Sequence, residues 1–169
     1  MLQFMAPDVF ETLTGTSDSE HCFGVFLTIA KRHTTFDKTL PVDVFQACVG
    51  ETISLIAGWL KEAKVTEESL LNFAFTDGCT VIVTRIVLGT GKSASLWFSS
   101  GSAWEVEDGE YRMIHHDRRE HVVIVASERL TAEAADWVQV PNNTFLVVGA
   151  SMTVLLIPME EACPGFPIP

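Results

Sequence analysis

The sequence predicts an α+β fold, in which two helices near the front of the chain are followed by a series of antiparallel strands. Between positions 22 and 63 apolar residues recur at helical spacing, whereas from position 70 onward short apolar runs alternate with turn residues. Asp77-Gly78 and Asp108-Gly109 favour two-residue hairpin turns, because glycine tolerates a positive φ. Helices that precede a set of strands, without alternating with them, are typical of α+β folds.

The first helix is predicted to begin after Ser17. Ser17 and Glu20 fit a capping box, in which the serine side chain accepts a free backbone N–H and the glutamate reaches back to another. Asp18 then lies in the first turn, where the helix dipole favours a negative charge. A carboxylate held there is well placed to bind a substrate ammonium group, although the residues alone favour a capping role. The apolar pattern continues to about Arg32.

The second helix is predicted after a loop at 33–40. Pro41 suits the first turn of a helix, because its ring fixes φ near the helical value. The helix should end near Lys64. Its apolar face is formed by residues at helical spacing, namely Phe45, Cys48, Thr52, Leu55, Ile56, Trp59, Leu60 and Ala63.

The strand-rich part should form one domain with the two helices, covering residues 1–158, with a loose Pro-rich tail at 159–169. The run at 121–126 is almost continuously apolar, which is typical of a strand buried on both faces. Gly149-Ala150-Ser151 is expected to be a hairpin turn. The strands are predicted at 70–76, 79–87, 94–99, 104–106, 111–114, 121–126, 137–140, 145–149 and 153–157.

The composition excludes several classes of partner. A formal net charge of −11 argues against binding to nucleic acid or to anionic membrane surfaces, both of which require clustered Lys and Arg. The most apolar stretch, 145–159, is broken by Gly149 and Ser151 and is too short for a spanning helix. Four cysteines without C-x-x-C spacing, and no secretory signal, predict reduced thiols and a soluble, cytoplasmic protein.

No metal ion or cofactor is predicted. His115, His116, Asp117 and His121 lie in a run of mixed charge that is interpreted as a solvated loop rather than a zinc site. The segment at 88–95 is rich in Gly and Ser but lacks the full spacing of a phosphate-binding loop, so it is interpreted as a strand connector.

Five blocks of the sequence carry a resemblance to a known family. GTSDSEHCFGVFL at 15–27 resembles the TDSE segment of class II, N-terminal-nucleophile glutamine amidotransferases. The other blocks resemble the C-terminal half of one branch, the amidotransferase-like subunit of the fungal glutathione-degradation complex. They occur in the same order and are LNFAFTDGCTVIVTR at 71–85, SASLWFSSG at 93–101, VVIVASERLT at 122–131 and DWVQVPNNTFLVV at 136–148.

The resemblance implies an α-β-β-α sandwich of which this chain supplies the C-terminal half. In that family the nucleophile is an N-terminal cysteine, whereas this chain begins Met1-Leu2-Gln3-Phe4 and its cysteines are internal. The family's arginine and Asn-Gly pair also have no counterpart here. The expectation is therefore that the N-terminal half is missing and that no catalytic residue lies in this chain. A truncated gene model, a fragment and a natural remnant remain open.

The resemblance also implies a function. The complete protein would be a γ-glutamyl hydrolase that acts on glutathione or glutamine, with a metallopeptidase-like partner subunit. Asp18 would bind the glutamyl α-ammonium, and Ser17 and Ser19 would orient the loop, although capping is favoured for both serines. Because the nucleophile is not found, the sequence leaves a second hypothesis open. In that hypothesis the chain is a non-catalytic interaction module that binds the family's partner subunit.

Overall fold

A computed structural model describes residues 1–89, 91–115 and 122–163. The chain forms two compact units. The helical unit consists of Met1–Glu67 together with the segment that begins at Met159, and the strand unit consists of Glu68–Pro158. The two long helices precede the strands in the sequence and the paired strands are antiparallel, so the predicted α+β class is confirmed.

The helical unit is built around two helices whose positions agree with the sequence patterns. A 3₁₀ turn at Leu2–Phe4 and a short helix, which the sequence patterns did not predict, precede the first of them. The α-helices of this unit are α1 at Pro7–Phe10, α2 at Asp18–Ala30, α3 at Val42–Glu62 and α4 at Met159–Ala162.

Helices α2 and α3 pack through large apolar side chains. The rings of Phe26 and Phe45 lie 5.7 Å apart, and Ile29 is fully buried. The buried face of α3 is rotated from the predicted one, since Val49 and Ile53 are fully buried whereas Trp59 remains partly exposed. The helix buries adjacent positions, such as 48 and 49 or 52 and 53. The buried stripe is therefore wider than the face that steps of three and four residues trace.

The first residues of the predicted tail are ordered against α3. Met159 begins α4 and is almost fully buried. Cys163 lies so close to Gly50 that a Cβ on this glycine would overlap its Sγ. An apolar anchor at the end of the last strand therefore returns the chain to the helical unit. Residues 164–169 lie outside the described residues.

The strand unit contains ten strands within its described residues. They are β1 at Ser69–Leu71, β2 at Ala74–Thr76, β3 at Val81–Leu88, β4 at Trp97–Gly101, β5 at Ala103–Glu107, β6 at Glu110–Ile114, β7 at Val122–Ala126, β8 at Val138–Gln139, β9 at Thr144–Val148 and β10 at Val154–Pro158. They form a five-stranded sheet in the order β1-β3-β9-β10, with β2 also beside β3, a three-stranded sheet in the order β7-β4-β8, and the hairpin β5-β6.

The core of the strand unit lies between the five-stranded and the three-stranded sheets. In the first sheet Val83 pairs with Leu146, and Val81 pairs with Val148, so these side chains share one face. Phe98 on β4 and Val125 on β7 pack against that face from the other sheet. Strand β3, which was predicted at 79–87, is buried along most of its length.

The strand predicted at 94–99 lies at Trp97–Gly101. Two other strand predictions and one turn prediction also differ from the structure. The predicted strand at 70–76 is split into β1 and β2, because Phe73 bonds to Thr84 through the threonine hydroxyl as well as through its backbone. The turn at Asp77 is longer than two residues, since its carboxylate accepts the backbone N–H groups of Cys79 and Thr80. Strand β7 is only partly buried because it lies at the edge of its sheet.

The second predicted turn is confirmed. Strands β5 and β6 are joined by Asp108 and Gly109, whose φ angles of 53° and 84° are the positive values that this turn requires. The hairpin at the end of the strand unit is also confirmed, since Val148 and Val154 are the last paired residues before the loop between β9 and β10.

Candidate functional site

The start of α2 is organised by a serine cap. Ser17 has an extended backbone, with φ −73° and ψ 146°, and its Oγ accepts the backbone N–H of Glu20 at 3.2 Å. This bond satisfies one of the N–H groups that have no partner within the helix. The first half of the predicted capping box is therefore present, and Ser17 has a capping role.

The second half of the capping box reaches further back than the pattern implies. One carboxylate oxygen of Glu20 accepts the backbone N–H groups of Thr14 and Gly15, at 2.8 and 2.9 Å. These N–H groups, Gly15 first, hold the pKa of Glu20 below its usual range, because they stabilise the charged carboxylate. Glu20 thus connects the helix to the segment that leads into it.

Gly15 makes room for this carboxylate. A Cβ at position 15 would overlap Oε2 of Glu20. The φ angle of Gly15 is not in the left-handed region, in contrast to those of Gly78, Gly89 and Gly109. A side chain at position 15 would therefore displace the Glu20 carboxylate, whereas the backbone conformation itself does not call for glycine.

Asp18 is the first residue of α2 and is exposed to solvent. Its Oδ1 accepts the backbone N–H of Ser19 at 2.9 Å. Within the described part of the chain, its other oxygen has no hydrogen-bond or ionic partner. The helix start thus presents a carboxylate that is fixed on one side and accessible on the other. Ser19, the third residue singled out by the sequence, contributes its backbone N–H.

Three of the four cysteines are poorly suited to nucleophilic chemistry, and all four are free thiols. Burial raises the pKa of Cys22 and Cys48, and it raises the pKa of Cys163 to about 11, so these groups hold their protons at neutral pH. Cys79 is exposed in the loop between β2 and β3. Cys22 and Cys48 are core residues of α2 and α3.

The part of the chain that the structure describes contains no cluster of three or more His, Cys, Asp or Glu residues that could hold a metal ion. His115 is described and exposed, whereas His116, Asp117 and His121 lie outside the described residues. None of the helices in these described residues has the length and apolar character that a membrane-spanning helix needs.

Two adjacent residues of β3 that sequence analysis left without a role bind irregular backbone. The Thr84 hydroxyl donates to the carbonyl of Leu71 at 2.7 Å and accepts the N–H of Phe73 at 3.0 Å. Arg85 is buried, and its guanidinium donates to the carbonyls of Ala94, at 2.8 Å, and Val140. Burial lowers the pKa of Arg85.

Side-chain hydrogen bonds hold the Gly- and Ser-rich segment at 88–95 in place. Arg85 holds its end at Ala94, and Ser93 donates to the side-chain oxygen of Asn142. Among its described residues the segment thus connects β3 to β4 and is fixed to the loop before β9. The sequence contained one indication of this role, an arginine in an otherwise apolar strand, but it did not identify the carbonyls that the arginine binds.

Comparison with known proteins finds similarity both to a curated protein sequence and to solved structures. No protein-family model matches the chain. The protein named probable glutamine amidotransferase DUG3, from Saccharomyces cerevisiae, is 38% identical over 171 residues, which cover 95% of this chain and 48% of the yeast protein. A glutamine aminotransferase class-II domain protein from Silicibacter pomeroyi has a similar structure, with a TM-score of 0.58 and 17% identity over 93% of this chain and 59% of that chain.

The fold is that of a class II glutamine amidotransferase domain, as the solved structure indicates. The sequence match then gives the family. The chain belongs to the glutamine amidotransferase-like proteins and is a relative of yeast DUG3, which confirms the resemblance seen in the five sequence blocks. It spans about half the length of this curated relative. Which half it matches, and what Asp18 binds, stay predictions.

Proposed function

We propose that the chain is the segment of a γ-glutamyl hydrolase that binds the α-ammonium group of the glutamyl substrate, with glutathione as that substrate. The observation that carries the proposal is that different residues have separate roles at the start of α2. Ser17 caps the helix and Glu20 holds the preceding turn, so neither task requires the charge of Asp18. Asp18 is exposed, with one carboxylate oxygen available to a cation.

The proposed chemistry is acyl transfer, as the family resemblance implies. A cysteine thiol outside this segment attacks the γ-carbonyl, and the amine of cysteinylglycine leaves with a proton from the catalytic base. Water then cleaves the γ-glutamyl thioester, which releases glutamate and restores the thiol. Asp18 takes no part in these steps. It fixes the ammonium end of the substrate so that the γ-carbonyl lies near the sulfur, which is a contribution of position.

The proposal extends to a metallopeptidase-like partner subunit and to the cytoplasm. The partner follows from the branch of the family that the five sequence blocks resemble. The cytoplasmic location is supported by four free thiols, of which Cys79 is exposed.

A second candidate function is that of a non-catalytic interaction module. The observation behind it is that β10, at the edge of its sheet, exposes Leu155 on one face and Leu156 on the other.

The test is Asp18→Asn in the full-length protein that carries this segment. Because Ser17 is the cap, Asp18→Asn removes only the interaction of the charge with the helix dipole, so stability should change by less than about 1 kcal/mol. The charge-assisted bond to the ammonium is worth about 1.5–3 kcal/mol, so kcat/KM for glutathione should fall by roughly ten- to a hundred-fold, mainly through KM. Asp43→Asn is the matched control, because Asp43 is an exposed carboxylate in the first turn of α3.

The outcomes separate the two candidates. Unchanged kinetics in a folded Asp18→Asn protein would return Asp18 to a structural role and remove the proposed substrate contact. Absence of any glutamate release from glutathione by the full-length wild-type protein would favour the interaction module instead.

A further inference from the structure

We infer that Glu20 is a positioning residue for Asp18, and that Gly15 is the residue whose missing side chain allows Glu20 to act. The inference rests on the proposed function, since it concerns how the ammonium-binding carboxylate is held. Glu20 does not contact the substrate in this hypothesis. It acts through the backbone that carries Asp18.

Glu20 fixes the approach to α2 at two points. Its side chain accepts the N–H groups of Thr14 and Gly15, and its own N–H donates to Ser17. Residues 14–19 are all exposed. Among the described residues, the N–H groups of Thr14 and Gly15 have no other hydrogen-bond acceptor. A single carboxylate therefore closes the loop that ends at Asp18.

The other end of this loop is fixed by packing. A Cβ on Gly24, in the second turn of α2, would lie 3.2 Å from a methyl group of Leu13 and 2.9 Å from the sulfur of Met5. The chain just before Thr14 thus lies against the helix that it is about to enter. Leu13 and Glu20 together hold the segment between them, and Asp18 lies within it.

The position of the Asp18 carboxylate depends on this closure. Its one recorded side-chain bond goes to the next N–H along the helix, from Ser19. The carboxylate therefore moves with the backbone of the first turn. Loss of the Glu20 carboxylate would free the N–H groups of Thr14 and Gly15, and the exposed segment that leads into this turn would then open more readily. Displacement of a binding group by about 1 Å can cost up to about a hundred-fold in rate, so loss of the Glu20 bonds should weaken substrate binding.

Gly15 is coupled to Glu20 by space. Oε1 is held by two N–H groups, and Oε2 occupies the volume that a side chain at position 15 would need. Alanine fits the backbone at this position, because Gly15 does not have a positive φ. Gly15→Ala should therefore act by displacing the carboxylate, and it should have no effect once the carboxylate is gone.

The experiment is a double-mutant cycle in the full-length protein, with Gly15→Ala, Glu20→Ala and the double variant, assayed on glutathione. Glu20→Ala should raise KM roughly three- to thirty-fold with kcat within about twofold. Glu20→Gln should stay within about threefold of wild type, because its amide oxygen can accept the same N–H groups. Gly15→Ala should resemble Glu20→Ala, and the double variant should be no worse than Glu20→Ala alone.

Gly58→Ala is the control, because no atom lies within 4 Å of the Cβ that it would add. Hydrogen exchange of residues 13–17 should become faster in Glu20→Ala but not in Glu20→Gln. If Glu20→Ala does not fold, Gly15→Ala against Gly58→Ala decides the question.

A wild-type KM in folded Glu20→Ala, with a raised KM in Asp18→Asn, would overturn the positioning role and leave the proposed function intact. Additive effects of Gly15→Ala and Glu20→Ala would overturn their coupling. An unchanged KM in Asp18→Asn would instead remove the proposed function on which the inference rests.

Discussion

The helical and the strand units use buried polar side chains in different ways. Among the described residues of the helical unit, the buried polar residue is Thr52, whose hydroxyl donates to the carbonyl of Cys48 one turn earlier in the same helix. In the strand unit Thr84 and Arg85 bind carbonyls that lie 9 to 55 residues away in the sequence. A helix satisfies its own backbone, whereas loops beside a sheet need side chains to do so. The strand unit is therefore the part whose interior depends on long-range polar contacts.

The largest expected loss of stability concerns the apolar core of the strand unit. Leu146 on β9 is fully buried in the core between the sheets, whereas Leu155, on the neighbouring strand β10, is about half exposed. Leu146→Ala should lower the free energy of unfolding by about 2–5 kcal/mol, because it removes buried methyl groups and leaves a cavity. Leu155→Ala should cost less than about 1 kcal/mol. Urea unfolding would measure both, and equal losses would contradict the assigned core.

The polar contacts of β3 come next. Thr84→Val keeps the shape of the side chain but removes the hydroxyl that serves Leu71 and Phe73. Each buried backbone group left without a partner costs about 1–3 kcal/mol, so a total loss of about 2–4 kcal/mol is expected. Thr76→Val is the control, because Thr76 is exposed and water can replace its bond to the Gly78 N–H. If the two valine variants were equally stable, the polar interior of the strand unit would not matter for its stability.

The helical unit responds to its cap. Ser17→Ala removes the acceptor of the Glu20 N–H and should cost about 0.5–2 kcal/mol, whereas Ser17→Asn should restore most of that loss. Thermal unfolding followed by circular dichroism is a suitable measurement. Ser19→Ala is a control for stability alone, since the bond of Ser19 to Asp18 uses its backbone. A loss in Ser19→Ala as large as that in Ser17→Ala would place the cap elsewhere.

The secondary structure was more predictable from the sequence than the contacts were. The start of α2 was predictable from Ser17, Asp18 and Glu20, because a helix cap is formed by residues within four adjacent positions. The hairpin at Asp108-Gly109 was predictable because its turn also depends on adjacent residues. The hydrogen bonds that Asp77 accepts through its side chain are also local, and they lengthen the first turn. The Asp-Gly pair is compatible with this longer turn as well as with a two-residue turn, so the pattern does not distinguish them.

Contacts between distant residues were not predictable. The carbonyls bound by Arg85 are in loops whose positions follow from the whole strand unit. The burial of Met159 depends on the return of the chain to α3, which a Pro-rich tail does not indicate. At the candidate site, the capping-box pattern predicted that Glu20 reaches back along the chain. It did not predict that Glu20 accepts two N–H groups, or that its carboxylate fills the space beside Gly15.

The smallest expected effect is a pH dependence in the helical unit. The hydrogen bond from Lys31 lowers the pKa of Asp8, and the N–H groups of Gly15 and Thr14 lower that of Glu20. Carboxylates whose pKa is lower in the folded state stabilise it at neutral pH, and this stabilisation is lost as pH falls through the folded pKa. The urea midpoint should therefore decrease between about pH 6 and about pH 3, and less so in Asp8→Asn and Glu20→Gln. Identical slopes in wild type and both variants would contradict the assignment.

The proline at the end of β10 limits what could attach to the five-stranded sheet. Pro158 pairs with Thr144, and among the described residues no strand lies on the outer side of β10. An open edge can accept a strand from another chain, but proline offers no N–H to it. Such a strand would find only Val154–Ile157 available, about 13 Å of edge. That is shorter than an average strand, so Pro158 protects the sheet from serving as a template for aggregation.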